Sequence, residues 1–233
     1  VSKGLFISFE GTEGCGKSTQ VKLLAERLDA LGHRVETPRE PGGTLIGQEI
    51  RNTLKHSEDN AAMTAEAELL LMNASRAQLV REIIRPALAA GKIVLCDRFY
   101  DSTTAYQGYG RQLDLKMVQT VTDFAVDKTR PNLTVLLTVP VEISEARRLA
   151  RREAMLLDVP RKTQKTKSYT KLPFSEPLRD RMEEADRNFF ERVALGYEAI
   201  AAAEPNRIHK INGVDSVEIV SAKIWELVQP ILP

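Results

Sequence analysis

Apolar positions along the chain switch between two periods. Residues 5–9, Leu5-Phe6-Ile7-Ser8-Phe9, form a short run rich in strand formers, and residues 18–31 repeat apolar side chains at three and four, the spacing of one helix face. Gly32 ends that pattern, residues 34–37 read as a second short strand, and Pro and Gly make 38–44 a loop before helical spacing resumes over 46–55. One long helix is predicted over 64–90, with Thr64 and Glu66 near its start and Gly91 just past its end. Further strands are predicted over 92–96, 133–139 and 207–211. They alternate with helices over 113–126, 140–152, 177–203 and 216–228, while 103–110 reads as a polar, aromatic-bearing loop or short helix.

Strands alternating with helices predict an α/β fold: a five-stranded parallel sheet covered by helices on both faces, a three-layer sandwich. One stretch departs from the alternation. Between 158 and 177 the chain carries Arg161, Lys162, Lys165, Lys167 and Lys171 among Thr, Ser and Pro with little apolar periodicity, the composition of a mobile basic loop. The expected organisation is therefore a single domain over 1–233 with a lid insertion at about 153–179.

Composition narrows the partners. A chain of 233 residues that is 42% hydrophobic can bury a sizeable core, and 33 basic against 32 acidic side chains leave a formal charge of +1. No global field draws it to nucleic acid or to a membrane surface, so neither is an expected partner. Two cysteines make no disulfide framework, which suits a reducing, cytoplasmic setting, and no apolar run nears the roughly 18 residues of a membrane span.

The chemistry begins between the first strand and the first helix. Gly11-Thr12-Glu13-Gly14-Cys15-Gly16-Lys17-Ser18 fits the pattern Gly, four variable residues, Gly, Lys, Ser/Thr, in which backbone N–H groups and the helix dipole cradle nucleotide phosphates. These eight residues and Thr19 are the expected ATP-binding set. Lys17 supplies a cation for the β- and γ-phosphate oxygens, and the Ser18 hydroxyl is the usual ligand of the nucleotide's Mg²⁺.

A second cluster is expected at the end of the third strand. Asp97 there is a candidate to hold Mg²⁺ directly or through water, and Arg98 beside it to grip a phosphate with two parallel hydrogen bonds. Arg39, Arg51 and Arg76 are further candidates for an anionic acceptor. A phosphate donor on the loop and a phosphate-bearing acceptor opposite describe a nucleotide kinase.

Several segments in this order resemble the thymidylate kinases, in particular the bacterial form: Phe9-Glu10-Gly11 entering the phosphate loop, Arg39-Glu40-Pro41-Gly42-Gly43-Thr44, Ala67-Glu68-Leu69-Leu70-Leu71, Ser75-Arg76-Ala77-Gln78, Asp97-Arg98-Phe99 and 102–108. The resemblance spans nearly the whole chain. It implies transfer of the ATP γ-phosphoryl to dTMP, with Arg76 on the thymine edge, Arg51 and Arg98 at the acceptor phosphate, Arg39 also in the dTMP site, and Glu13 near the 3′-hydroxyl. It further implies Tyr106 against the sugar, Thr103 and Gln107 beside the base, and a homodimer joined through the long helices. The phosphate loop has no arginine next to Lys17, so the resemblance implies that lid arginines neutralise the transferring phosphate; Arg151, Arg152 and Arg181 are the candidates.

Three departures qualify the likeness. Met72 stands where the family usually has a Phe over thymine, Cys15 where Ala is common, and the lid is longer, rejoining the family pattern at Asp180-Arg181-Met182-Glu183. Met72 leaves open a kinase for another nucleoside monophosphate or a deoxynucleoside. A GTP-binding switch is the other reading, though neither Asn-Lys-x-Asp nor Asp-x-x-Gly after the third strand occurs.

Overall fold

The computed structural model describes residues 4–157, 181–182 and 185–233. Its strands are β1 Leu5–Glu10, β2 Val35–Glu36, β3 Ile93–Asp97, β4 Leu133–Thr138 and β5 Ile208–Asn212, and they form one sheet in the order β2-β3-β1-β4-β5. Every pairing is parallel. The expected α/β sheet is therefore present. Because β1 lies between β3 and β4, the order reverses beside it, and crevices at the carboxyl ends of strands at such a reversal are where open parallel sheets bind ligands. The register pairs Phe9 with Asp97, which sets the chain leaving β1 against the end of β3.

The helices are α1 Lys17–Ala30, α2 Leu45–Lys55, α3 Ala65–Leu79, α4 Arg85–Ala89, α5 Tyr100–Thr103, α6 Leu115–Val126, α7 Val141–Leu157, α8 Arg187–Ala203 and α9 Val217–Val228. Alternation along the strands divides the core between them. Leu5, Ile7, Phe9, Ile93, Leu95, Val135 and Leu137 pack with Leu24 and Leu28 of α1 and with Val220 and Ile224 of α9. Phe6, Val94 and Cys96 face the other way, against Leu79, Val80, Ile84 and Phe99, and Leu136 meets Tyr106, Phe190 and Val193 under α8. Each such side chain contributes about 1.5–3 kcal/mol by leaving water. A one-residue register slip would exchange the two cores.

Two expected helices differ in detail. The helix predicted over 64–90 is helical throughout but not uniformly α: a π-helical turn, Val80–Ile84, separates α3 from α4. Pro86 accounts for it, since proline lacks an N–H and its ring clashes with the carbonyl four residues back, and a wider turn relieves both. The helix predicted from 177 starts as α8 at Arg187, where the Asp186 side chain accepts from the Phe189 N–H at 2.7 Å, a cap that fixes the first turn. Residues 177–180 lie outside the described residues. The stretch 103–110 is helical: α5 runs into a second π-helical segment, Thr104–Gly110.

Candidate active site

The phosphate loop joins β1 to α1 and closes with Gly16 in the left-handed region at φ 101 as the cap of α1, without a side-chain cap bond. The N–H groups of the first turn are thus directed into the loop, where an anion is favoured. Gly11 cannot be replaced: at φ 134, an added Cβ would lie 2.3 Å from the Leu137 carbonyl oxygen. The Lys17 ammonium donates to the Gly11 and Thr12 carbonyls at 3.0 and 2.8 Å. Ser144 of α7 donates to the Glu13 carbonyl at 2.7 Å, and Arg147 donates to the Gly14 and Gly213 carbonyls, both at 3.1 Å. Helix α7 therefore clamps the loop from outside.

Across the crevice the Ser18 hydroxyl donates to Asp97 Oδ2 at 2.5 Å, uniting the two expected Mg²⁺ ligands. Both offer hard oxygen donors, the donor type that Mg²⁺ prefers. Among the described residues no three His, Cys, Asp or Glu side chains gather as a metal cage; an ion here would take its other ligands from phosphate and water.

Arg98 follows Asp97 at φ 71, strained for a non-glycine residue. That conformation turns its guanidinium onto Glu13 at 2.8 Å, Ser102 at 3.0 Å, Tyr106 at 3.1 Å and Tyr197 at 3.2 Å. Tyr106 also donates to Glu13 Oε2 at 2.5 Å. Burial alone would raise the Glu13 carboxyl, but the charges of Arg98 and Lys17 outweigh it and hold the group at about 2, so it is ionised at neutral pH. Behind this cluster Glu10, fully buried, accepts from the Phe99 N–H at 2.7 Å and the Ser102 hydroxyl at 2.6 Å.

Arg76, 2% exposed, donates to Glu40 at 2.7 Å, to Asn73 at 3.0 Å and to the Phe99 carbonyl at 3.3 Å. The loop bearing Glu40 is held to β3 by the Glu40 N–H donating to the Asp97 carbonyl at 3.0 Å. Glu68, fully buried on α3, accepts from Gln107 at 2.8 Å, from Arg111 at 3.2 and 3.0 Å, and from Arg181.

Two cavities meet here. The larger is lined by Glu13, Gly14, Gly16, Lys17, Ser18 and Thr19 of the loop and helix start, and by Arg39, Arg51 and Asp97. The smaller is lined by Met72, Arg76, Thr103, Tyr106, Gln107 and Met182, among others. Glu13, Glu40, Lys55 and Arg98 line both. A phosphate cradle thus opens onto a pocket whose walls mix apolar side chains with a few convergent polar groups, as small-ligand sites do.

A family model described as thymidylate kinase matches residues 9–224. This chain belongs to the thymidylate kinase family. Curated thymidylate kinases from Synechococcus sp. (strain JA-2-3B'a(2-13)) and Geobacter sp. (strain M21) are 42% and 44% identical to it. The first alignment covers 98% of this chain and 96% of the relative, the second 92% and 87%. The crystal structure of thymidylate kinase from Ehrlichia chaffeensis is similar with a TM-score of 0.71 at 29% identity, covering 97% of this chain and 99% of that one.

Most of the expected site residues therefore converge on the two cavities, while Gly11, Thr12 and Cys15 are buried in the loop behind them. Arg181 does not stand at the phosphate loop: its guanidinium is taken by Glu68 and by the Met63 carbonyl, the latter at 2.9 Å. Arg151 and Arg152 fall within α7, and their side chains lie outside what is described, as do Asp180 and Glu183. Among the described side chains Arg147 of α7 stands on the loop, and Lys55, Glu10, Ser102, Tyr197, Glu68 and Met182 are site residues to which the sequence reading gave no role. Glu10, Glu68, Ser102 and Met182 stand in segments that carry the family resemblance, whereas Lys55 and Tyr197 lie outside them. Among the described residues no helix is long and apolar enough to cross a membrane.

Proposed function

We propose that this protein transfers the γ-phosphoryl group of ATP to the 5′-phosphate of dTMP, giving ADP and dTDP. The observation that carries this reading is the shared wall of the two cavities. A nucleotide triphosphate in the cradle and a monophosphate in the smaller pocket would meet between Lys17, Glu13 and Arg98. An oxygen of the acceptor phosphate attacks the γ-phosphorus, the bond from it to the β–γ bridging oxygen breaks, and ADP leaves. The acceptor is already an anion near neutral pH, so the protein's work is alignment and charge stabilisation.

In this reading Gly11 through Thr19 surround the ATP phosphates and Lys17 follows the charge that develops on the transferring group. Arg98 holds the acceptor phosphate, with Arg39 and Arg51 on the same side. Arg76, Thr103 and Gln107 meet the base under Met72, and Tyr106 and Glu13 meet the sugar. Ser18 and Asp97 would hold Mg²⁺, which supplies charge neutralisation between the phosphates when bound. Arg151 and Arg152 remain the proposed lid cations. Arg181, turned to Glu68, is better suited to holding the pocket wall than to reaching the γ-phosphate.

The chain is read as a single kinase domain over 1–233 with its lid extension at about 153–179. A homodimer is supported by Leu70 of α3 and Met117 and Phe124 of α6, large apolar side chains that stay 58–84% exposed, since contiguous exposed apolar surface marks association sites. Two unpaired buried cysteines, Cys15 and Cys96, suit a reducing cytoplasm.

A panel of nucleoside monophosphates assayed with Mg-ATP tests the reading. dTMP should give the highest kcat/KM, and Lys17→Ala should lower kcat by about 10²-fold or more while the circular dichroism spectrum stays unchanged. Preference for another monophosphate would overturn the substrate assignment.

A further inference from the structure

A buried carboxylate behind the nucleobase end of the smaller cavity is used by no step above. Glu68 is fully buried, and its two oxygens divide their partners unequally. Oε1 accepts from Gln107 Nε2 at 2.8 Å and from Arg111 Nε at 3.2 Å, while Oε2 accepts from Arg111 Nη2 at 3.0 Å and from Arg181. Burial alone would raise this carboxyl. The hydrogen bonds and charge of Arg111, joined by Gln107 and Arg181, outweigh it and hold Glu68 below its ordinary range. An ionised carboxylate can only accept.

That property fixes the orientation of a neutral amide beside it. Facing an acceptor, Gln107 must present its NH₂ to Glu68, which leaves its carbonyl oxygen for the cavity that the residue lines. An acceptor in that place suits a base edge that offers a ring N–H, as thymine does at N3. It does not suit cytosine, whose N3 is itself an acceptor. The geometry points to Glu68 as a positioning residue that sets which hydrogen-bonding face Gln107 turns to the base, and so makes the pocket select thymine over cytosine.

The same contacts tie this selection to the pocket wall. Arg181, bound by Glu68, also has its backbone N–H on the Lys55 carbonyl at 3.1 Å, and its neighbour Met182 is 3% exposed and lines the cavity. One carboxylate therefore orients the amide that reads the base and anchors the chain that carries Met182 over it.

The inference rests on the proposed dTMP kinase activity, and the experiment separates the two. In Glu68→Gln, the new amide has two arginine donors on its former Oε2 side. Its carbonyl belongs there, which places its NH₂ toward Gln107. Gln107 then inverts, turning its own NH₂ to the base. The ratio of kcat/KM for dTMP to that for dCMP should fall about tenfold or more, chiefly through a higher KM for dTMP, with the KM for ATP unchanged. Glu68→Asp keeps the charge that Arg111 and Arg181 need, but it is one methylene shorter and releases Gln107. It should shift the ratio in the same direction by a smaller factor, and it decides the matter if Glu68→Gln does not fold. An unchanged ratio in the folded variants, with dTMP still the preferred substrate of the parent, overturns the role of Glu68 and leaves the function standing. A parent that does not phosphorylate dTMP overturns both.

Discussion

The Ser18 hydroxyl in the first turn of α1 and the Asp97 carboxylate at the carboxyl end of β3, 79 positions apart in sequence, share a hydrogen bond of 2.5 Å. The parallel β1–β3 pairing sets the chain leaving β1 against the end of β3, and the phosphate loop then delivers the first turn of α1 to Asp97. If they hold the nucleotide's Mg²⁺, Ser18→Ala should raise the Mg²⁺ concentration for half-maximal rate by roughly tenfold. Ser18 is exposed, so thermal stability should hardly change. A magnesium titration of initial rate checks this, and chelation of the metal should stop turnover in the parent.

The Arg76–Glu40 pair is buried on both sides, with side chains 2% and 4% exposed. Removing one partner of such a pair strands a charge away from water and typically costs about 3–5 kcal/mol. Arg76→Met should therefore lower the free energy of unfolding by about 3 kcal/mol and weaken dTMP binding together. Arg76→Met combined with Glu40→Gln should recover part of the stability but none of the binding. Urea denaturation alongside equilibrium dTMP titration distinguishes the two effects.

Glu10 predicts a pH dependence opposite to that of most carboxylates. Its burial, with the charge of Asp101 adding to it, pushes the carboxyl up from 4.5 to about 7. Between these values the folded protein holds a proton that the unfolded chain releases, so stability is greater at low pH and falls as pH rises from about 5 to 7, then levels off. The loss should be on the order of 2–3 kcal/mol. Glu13 is the reverse case: held at about 2, its contribution is full above about pH 5 and is lost only in stronger acid. Chemical denaturation at pH 5 and pH 8 should show the decline in the parent and its absence in Glu10→Gln.

Residues that act through local spacing were legible without coordinates. The phosphate loop, Asp97 and Arg98 announce themselves because a glycine pattern or a strand end fixes their surroundings, and strand–helix alternation carried the sheet. Glu10 and Glu68 stand in segments that carry the family resemblance but had no role there, because what satisfies them comes from far along the chain: Ser102 and Tyr197 for Glu10, Arg111 and Arg181 for Glu68. Arg181 is placed by the same kind of long-range contact. The family resemblance implies a lid arginine that reaches toward phosphate, whereas in the structure the buried Glu68 carboxylate on α3 holds the Arg181 guanidinium. The π-helical turn before Pro86 shows the complementary limit, since apolar spacing continues through a change of helix pitch that the proline imposes.

Met72 and Met182 both line the smaller cavity, and thioether chains are unbranched and adapt to the shape beside them. The polar edge of that cavity is fixed by Arg76 and Gln107, but its apolar wall can be moulded. For inhibitor chemistry this separates the ring positions of a thymine analogue. Enlarged apolar substituents pointing at the methionines should be accommodated, whereas methylation of the ring nitrogen facing Gln107 should abolish binding.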